Sequence, residues 1–393
     1  MNYYLIIVRY GEIGLKSLKI RSKFEKKLIK NIKAATDCDV DRNQGRIYIF
    51  PKDFFDALEK LKMVFGVVSY SPAVSTYSTF EDIDKVLSKY TKTLINDGIL
   101  DEKTKFAIRC RRVGKHDFSS QEMAGYCGGV VKRQIKSPVD LSNPDLTIFV
   151  EIRDDDAYIY HEKIQGSGGL PLGTQGKVVV LLSSGIDSPV AAYMMMKRGC
   201  EVIALHFNAS PFSGSQVTHL ACKLVDKLQN YAKGVPIKMY IVDYGEYLQA
   251  TKDYAPEKMT CVLCKSGMYK IAEKVAKKYG ALAIVDGSSV GQVASQTLNN
   301  ILATRYGVEM PILSPLIGLD KTEISDIASK IGTFEISKID DGGCKAVPKY
   351  PETRADLERV KKAIDDMNQE KYIQKALDRK STRLNSSHEP LSR

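Results

Sequence analysis

Residues 183–188 read Ser-Ser-Gly-Ile-Asp-Ser, a turn whose composition fits an anion-holding loop or else an ordinary strand–helix turn. Its small residues let a phosphate approach the backbone, and the hydroxyls of Ser183, Ser184 and Ser188 add hydrogen-bond donors. Asp187 adds a carboxylate to the turn. The preceding apolar run, Val178 to Leu182, reads as a buried parallel strand. The following residues, Pro189 to Met196, read as a helix with proline in its first turn. A strand that feeds such a turn and then a helix aims free N–H groups and a positive dipole end at one spot. The turn is not a Walker loop. The two Gly-Lys pairs of the chain continue as Gly114-Lys115-His116 and Gly176-Lys177-Val178, without the Ser or Thr that motif requires.

The second chemical signal is sulfur. Of eight cysteines, Cys38, Cys110, Cys127, Cys200 and Cys222 stand singly in apolar-patterned stretches and read as small core residues. Cys261 and Cys264 form a C-x-x-C pair, and Cys344 sits in a glycine-rich loop, Asp341-Gly342-Gly343-Cys344-Lys345. A C-x-x-C by itself fits a zinc site, a redox pair or a metal cluster. Zinc would prefer a fourth Cys or His ligand, and the sequence offers none nearby.

The elements that must position these groups differ along the chain. From Lys177 onward, strands are expected at 178–182, 201–207, 237–243 and 281–286 with helices between them. That alternation specifies a doubly wound parallel sheet, an α/β fold whose ligands sit at the carboxyl ends of the strands, where residues 183–188 fall. Upstream, a strand at 3–9, a helix through Ile20, Phe24, Leu28 and Ile32, a strand at 46–50 and a helix at 54–62 make a small α+β unit. A helix at 78–96, a strand at 106–112, a helix at 121–135 and a hairpin of 149–153 with 157–160 follow. Gly166 to Gly173 reads as a linker. The expected division is 1–60, 61–166 and 167–380, with 381–393 a non-native tail. That tail is polar, Ser-rich and without periodicity, so it is expected to be disordered, and it resembles a translated cloning adapter.

At 393 residues the chain is long enough for two or three domains, and 44% hydrophobic with 27% charged residues places it among ordinary globular proteins. No apolar run approaches the roughly 20 residues of a membrane span, and the N-terminus lacks a basic start and a cleavage site. A cytoplasmic protein with no membrane partner is expected. The net charge is +11. Residues 1–33 hold nine Lys/Arg against Glu12 and Glu25, and residues 103–136 hold nine more against Asp117 and Glu122. Two basic clusters ahead of an anion-holding loop fit a polyanionic partner, or else a solvated lysine-rich surface.

The turn at 183–188 resembles the PP-loop of ATP pyrophosphatases, usually Ser-Gly-Gly-x-Asp-Ser, with Ser184 standing where glycine is common. Longer segments resemble the tRNA 4-thiouridine synthase (tRNA sulfurtransferase) family: Gly168 to Gly173, Gly287 to Leu298, Pro315 to Ile324, and Ile331-Gly332-Thr333. The likeness runs from residue 1 to about 375. It implies ferredoxin-like and THUMP domains ahead of the PP-loop domain. It implies ATP and Mg2+ as cofactors, tRNA as partner, and adenylylation of the uridine at tRNA position eight before sulfur replaces its oxygen. The matching ATP positions are Leu181, Leu182, Ser183, Ser184, Gly185, Asp187, Ser188, His206, Phe207, Lys265, Gly287 and Gln296, where Lys265 replaces the usual Arg. Asp187, Lys321 and Cys344 take the catalytic positions. Arg109, Arg111, Arg112, Lys115, Lys132 and Arg133 are the tRNA-binding candidates, gripping phosphates and helix shape more than base edges. The chain resembles the archaeal, methanogen-like form, whose C-x-x-C and Cys344 equivalent hold a 4Fe-4S or 3Fe-4S cluster. A redox pair with Cys344 as persulfide carrier remains the competing assignment. The sulfur donor is free sulfide or a cysteine desulfurase, and a homodimer stays open. A catalytically silent RNA-binding module with a nucleotide sensor is the rival reading, opposed by the complete Asp187, Lys321 and Cys344 set. Sulfur supply for the thiamine thiazole is a third role compatible with the first.

Overall fold

Leu5-Ile6-Ile7-Val8 is apolar at every position because the strand it forms is covered on both faces. The structure is a computed structural model and describes residues 5–43 and 45–384. The chain divides between Gly169 and Leu170 into two compact units.

In the first unit, β1 (Leu5–Arg9), α1 (Leu18–Thr36), β2 (Asp39–Asn43), β3 (Arg46–Phe50) and α2 (Phe54–Leu61) are followed by β4 (Ser69–Tyr77) and α3 (Phe80–Asn96). Then come β5 (Phe106–Val113), α4 (Ser120–Gln134), β6 (Leu146–Arg153), β7 (Asp156–Tyr160) and β8 (Ile164–Gln165). One sheet runs β2-β3-β1-β4-β7-β6-β5, with β8 beside β4. Three strands escape a pattern search, one of them the two-residue β8. β2, Asp-Val-Asp-Arg-Asn, is a charged edge strand held by its backbone against β3. β4 contains Pro72, which argues against a strand when read alone. Caps set the helix starts. The Thr79 hydroxyl accepts from the Asp82 N–H, and Ser119 with Glu122 closes a capping box. Pleating sends Ile108, Ile148, Val150, Ile152 and Ile159 to one face, against Ile83 and Leu87 of α3 and Met123, Val130 and Val131 of α4. Leu5, Ile7, Tyr48, Ala73, Tyr158 and Tyr160 form a separate cluster.

The second unit contains β9 (Lys177–Leu181), α5 (Asp187–Lys197), β10 (Glu201–Asn208), α6 (Ser215–Gln229), β11 (Lys238–Asp243), α7 (Gly245–Tyr254) and α8 (Thr260–Tyr279). It continues through β12 (Ala283–Val285), α9 (Leu298–Thr304), β13 (Ile312–Leu313), α10 (Lys321–Ile331), α11 (Phe334–Ser337), α12 (Leu357–Asp366), α13 (Gln369–Asp378) and β14 (Ser381–Leu384). The sheet order is β13-β12-β9-β10-β11-β14, parallel except for β14. Because β10 lies on one side of β9 and β12 on the other, the end of β9 is the switch point where such sheets bind ligands. Val179, Leu205, Val242, Tyr247, Ile271, Val275 and Ile284 pack the core.

The tail departs from expectation. Ser381 to Leu384 is not disordered but pairs antiparallel with β11, Ser381 opposite Ile241 and Leu384 opposite Lys238. The reason is generic: the free backbone of an edge strand accepts an extended segment of almost any sequence. The remainder of the expected tail, 385–393, lies outside the described residues. No helix of the described residues is long and apolar enough to cross a membrane.

Candidate active site

The turn between β9 and α5 is folded onto itself by its serines. The Ser183 N–H donates to Ser188 Oγ at 2.9 Å, the Ser188 hydroxyl donates to the Ser183 carbonyl at 3.2 Å, and the Gly185 N–H donates to Ser183 Oγ at 3.3 Å. No side chain caps α5, so its leading N–H groups and positive dipole end face the space beyond the turn. Asp187 opens α5. Its Oδ1 lies 3.2 Å from Lys321 Nζ at the start of α10, and its Oδ2 accepts from Gln292 Nε2 at 3.2 Å. The Gln292 Oε1 is buried with no hydrogen-bond partner among the described residues. Gly287 packs against this turn. A Cβ there would stand 2.9 Å from the Asp187 carbonyl carbon and 3.0 Å from the Ser188 nitrogen. Gly287 therefore serves the close approach of two backbones. Gly287→Ala is expected to cost about 1–3 kcal/mol of overpacking, read as a lowered urea midpoint. An unchanged midpoint would show that the turn absorbs the methyl.

The turn forms one wall of a cavity of about 460 Å3. Leu181, Leu182, Ser183, Ser184, Asp187, Ser188, His206, Phe207, Lys265, Gly287 and Gln296 all line it, and so do Cys261, Cys264 and Cys344. Gly185 is exposed and off the lining, and Lys321 reaches the cavity through its contact with Asp187. His206 is buried with both ring nitrogens engaged, Nδ1 with the Leu182 carbonyl at 2.9 Å and Nε2 with the Thr218 hydroxyl at 3.1 Å. Burial lowers its pKa, so it lies there as a neutral ring.

Sequence reasoning missed Asp286, the last residue before Gly287. The Lys265 ammonium donates to Ser288 Oγ at 2.7 Å and lies 3.6 Å from Asp286. Asp286 also accepts from Tyr269 and, at 2.6 Å each, from Ser288 and Ser314. Burial pushes its carboxyl up, but Lys265 and these hydroxyls outweigh burial and hold it below the usual carboxylate range. The result is a fixed, paired charge at the cavity wall. The only hint in the sequence was an acidic residue ending a strand beside the site.

Cys261 and Cys264 lie three apart near the start of α8, on one side of the helix. Burial raises both thiols above the ordinary range, and the neighbouring cysteines raise them further. Cys344 is exposed and follows two left-handed glycines, Gly342 at φ 76° and Gly343 at φ 61°. Among the described residues no three His, Cys, Asp or Glu side chains converge closely enough to hold a single metal ion.

In the first unit the basic candidates separate. Arg109 and Arg111 are exposed on β5, in register with Phe149 and Glu151 of β6 and on the face of the sheet away from α3 and α4. Arg109 donates to the Leu141 carbonyl, Arg112 to the His116 carbonyl at 3.2 Å, and Lys132 to the Ser137 carbonyl at 3.0 Å. Arg133 pairs with Asp84, and Lys115 is exposed. Beside Arg109 and Arg111 lies a basic and aromatic belt the sequence did not reveal. Lys163 Nζ sits 3.6 Å above the Phe149 ring, which stacks on Tyr160 at 5.1 Å. Arg9 lies over Tyr160 at 4.8 Å, and Glu151 pairs with Arg9, Arg46 and Arg153.

Residues 173–369 match the family described as thiamine biosynthesis protein (ThiI), residues 5–71 its ferredoxin-like domain, and residues 77–162 the THUMP domain. The chain is 71% identical over 378 residues to a probable tRNA sulfurtransferase of Methanobrevibacter smithii, covering 96% of this chain and 99% of that protein. The chain belongs to the tRNA sulfurtransferase (ThiI) family. A second such sulfurtransferase, from Methanothermobacter thermautotrophicus, is 55% identical over 368 residues, or 94% of this chain and 95% of its own length. The crystal structure of a 4-thiouridine synthetase–RNA complex with bound ATP superposes with a TM-score of 0.89 at 31% identity, covering 98% of this chain and all of that one. The sulfurtransferase fold is thus the one the sequence implied: ferredoxin-like and THUMP domains ahead of a doubly wound PP-loop domain.

Proposed function

We propose that this sulfurtransferase converts the uridine at tRNA position eight to 4-thiouridine within the cavity at the end of β9. One observation carries the reading: the phosphate-holding turn and all three motif cysteines line the same cavity. A carbonyl oxygen is a poor leaving group, whereas AMP is a good one. The uridine O4 attacks the α-phosphorus of ATP, and pyrophosphate leaves. A sulfur nucleophile then attacks C4, and AMP departs with the former O4.

Each group has a place in this scheme. The N-terminus of α5 and the Ser183 hydroxyl bind the phosphates, while Ser188 holds the turn in shape. Lys321 neutralises charge as pyrophosphate separates. The Asp187 carboxylate and the orphaned Gln292 oxygen are hard oxygen donors of the kind Mg2+ takes. Leu181, Leu182, Phe207 and Gln296 enclose the base, while Lys265, fixed by Asp286, borders it.

Cys261, Cys264 and Cys344 offer three soft sulfur ligands on one cavity. A cluster is several ångströms across, so its ligands need not converge on one point as a zinc site demands. The donor set fits an iron–sulfur cluster, 4Fe-4S or 3Fe-4S. A 4Fe-4S cluster held by these three thiolates would leave one iron open to sulfide, whereas a 3Fe-4S cluster would have each of its irons ligated. The sulfur comes from free sulfide or a cysteine desulfurase, and the enzyme works in the cytoplasm. The family's description as thiamine biosynthesis proteins supports sulfur supply for the thiazole as a second outlet. The domain boundaries that suit this division of labour are 1–60, 61–166 and 167–380.

The tRNA lies on the sheet face carrying Arg109 and Arg111, beside the Lys163–Phe149 belt. Changing both arginines to Glu is expected to weaken tRNA binding at least about tenfold and to lower the salt slope of log affinity by about 2. Filter binding across a salt series measures both. An unchanged slope would make these arginines solvated surface only.

A further inference from the structure

Ser184 occupies the position where the phosphate turn departs from the usual glycine, and the structure gives that departure a use. The buried Ser184 hydroxyl donates to Asp341 Oδ2, 157 residues further along the chain. Asp341 lies three residues before Cys344 and lines the same cavity. Its other oxygen, Oδ1, accepts the Gly343 N–H at 2.9 Å. One carboxylate therefore joins the phosphate turn to the backbone of the cysteine loop.

The other side-chain hydrogen bond on the Asp341 side is local to the loop, the Gly342 N–H donating to Asp340 Oδ1 at 3.0 Å. Gly342 and Gly343 are both left-handed, and no atom lies within 4 Å of where a Cβ on either would stand. Beyond Cys344, the Lys345 N–H donates to the Phe212 carbonyl at 2.8 Å. Cys344 thus sits between a pinned point at Lys345 and a movable strut at Asp341, with two glycines free to take up the change of direction.

The strut and a nucleotide compete for one proton. The Ser184 hydroxyl has a single O–H, which serves either the Asp341 carboxylate or a phosphate oxygen. A carboxylate at the edge of a phosphate cradle is also repelled by the anion that fills it. We infer that Ser184 and Asp341 are positioning residues. Together they latch the Cys344 loop to the phosphate turn, and phosphate binding releases it. The Asp341–Gly343 side of the loop then loosens only in enzyme that holds nucleotide, with Cys344 still at the cavity wall, which places access to the cysteine site after nucleotide binding. This rests on the assignment of residues 183–188 as the phosphate cradle.

Linkage fixes the test, because nucleotide must loosen the loop by the same factor that the latch weakens nucleotide binding. Hydrogen exchange of the 339–345 segment is measured on the full-length, anaerobically purified enzyme, with and without Mg2+ and α,β-methylene-ATP, whose binding is followed by equilibrium dialysis. In the wild type the analogue is expected to speed exchange of this segment about tenfold. Asp341→Asn is expected to exchange fast without nucleotide, to respond little to it, and to bind the analogue about tenfold more tightly. Ser184→Thr keeps the hydroxyl and is expected to keep the nucleotide response. A wild type that binds the analogue with no change in the segment overturns the latch. So does an Asp341→Asn variant with wild-type exchange and affinity. A wild type that does not bind the analogue at all overturns the cradle assignment, and the latch with it.

Discussion

Asp187→Asn is expected to lower tRNA-dependent pyrophosphate release by roughly 10²–10³-fold, the scale of losing one preorganised electrostatic contact at a transferring group. The substitution keeps shape and removes charge. The amide still fits between Lys321 at 3.2 Å and Gln292 at 3.2 Å, so the fold should hold. What disappears is the charge that balances Lys321 and that the proposed mechanism offers to Mg2+ beside the phosphates. tRNA affinity should stay within about twofold, because the basic surface belongs to the other compact unit. A coupled pyrophosphate assay beside filter binding separates the two quantities. Release within a few-fold of wild type would remove Asp187 from the activation step.

The second large effect concerns sulfur. Cys261→Ala, Cys264→Ala and Cys344→Ala should each abolish thiolation while leaving pyrophosphate release within about threefold of wild type. The separation follows from the site: adenylylation uses the turn, Asp187 and Lys321, whereas the cysteines line another part of the cavity wall. If the three sulfurs hold a cluster, the anaerobic wild type is brown and contains iron and acid-labile sulfide, and each substitution depletes both. The exposed, glycine-flanked Cys344 keeps the persulfide alternative specific. That alternative expects colourless protein, a dead Cys344→Ala variant, and a Cys261→Ala variant that still turns over once with a reduced sulfur source. Colourless wild-type protein with full anaerobic activity would reject the cluster.

Much of this was written in local sequence. Val178 to Leu182, the serine-rich turn and the helix after Pro189 are contiguous, so their strand–turn–helix reading needed no tertiary information. The same holds for the helices expected at 78–96 and 121–135, which run 80–96 and 120–134. The misses share a cause. β2 and β14 are polar strands held by backbone pairing to an edge, which leaves no side-chain periodicity to detect. Asp286 and Gln292 matter because tertiary folding sets them against Lys265 and Asp187. Ser184 looked like a defect in a phosphate loop until its partner at Asp341 came into view. The tRNA surface was legible as charge but not as geometry. Alternation along β5 places Arg109 and Arg111 with Phe149 on one sheet face, while Lys132 and Arg133 are tied to Ser137 and Asp84.

The central claim is that one cavity activates a tRNA uridine with ATP and then exchanges its oxygen for sulfur. The most direct measurement counts products from the anaerobic enzyme given ATP, Mg2+, sulfide and unmodified tRNA. AMP, pyrophosphate and 4-thiouridine should appear in equal amounts, and none should form with a tRNA whose uridine at position eight is replaced by cytidine. ADP as the product, or AMP and pyrophosphate released without 4-thiouridine, would contradict it.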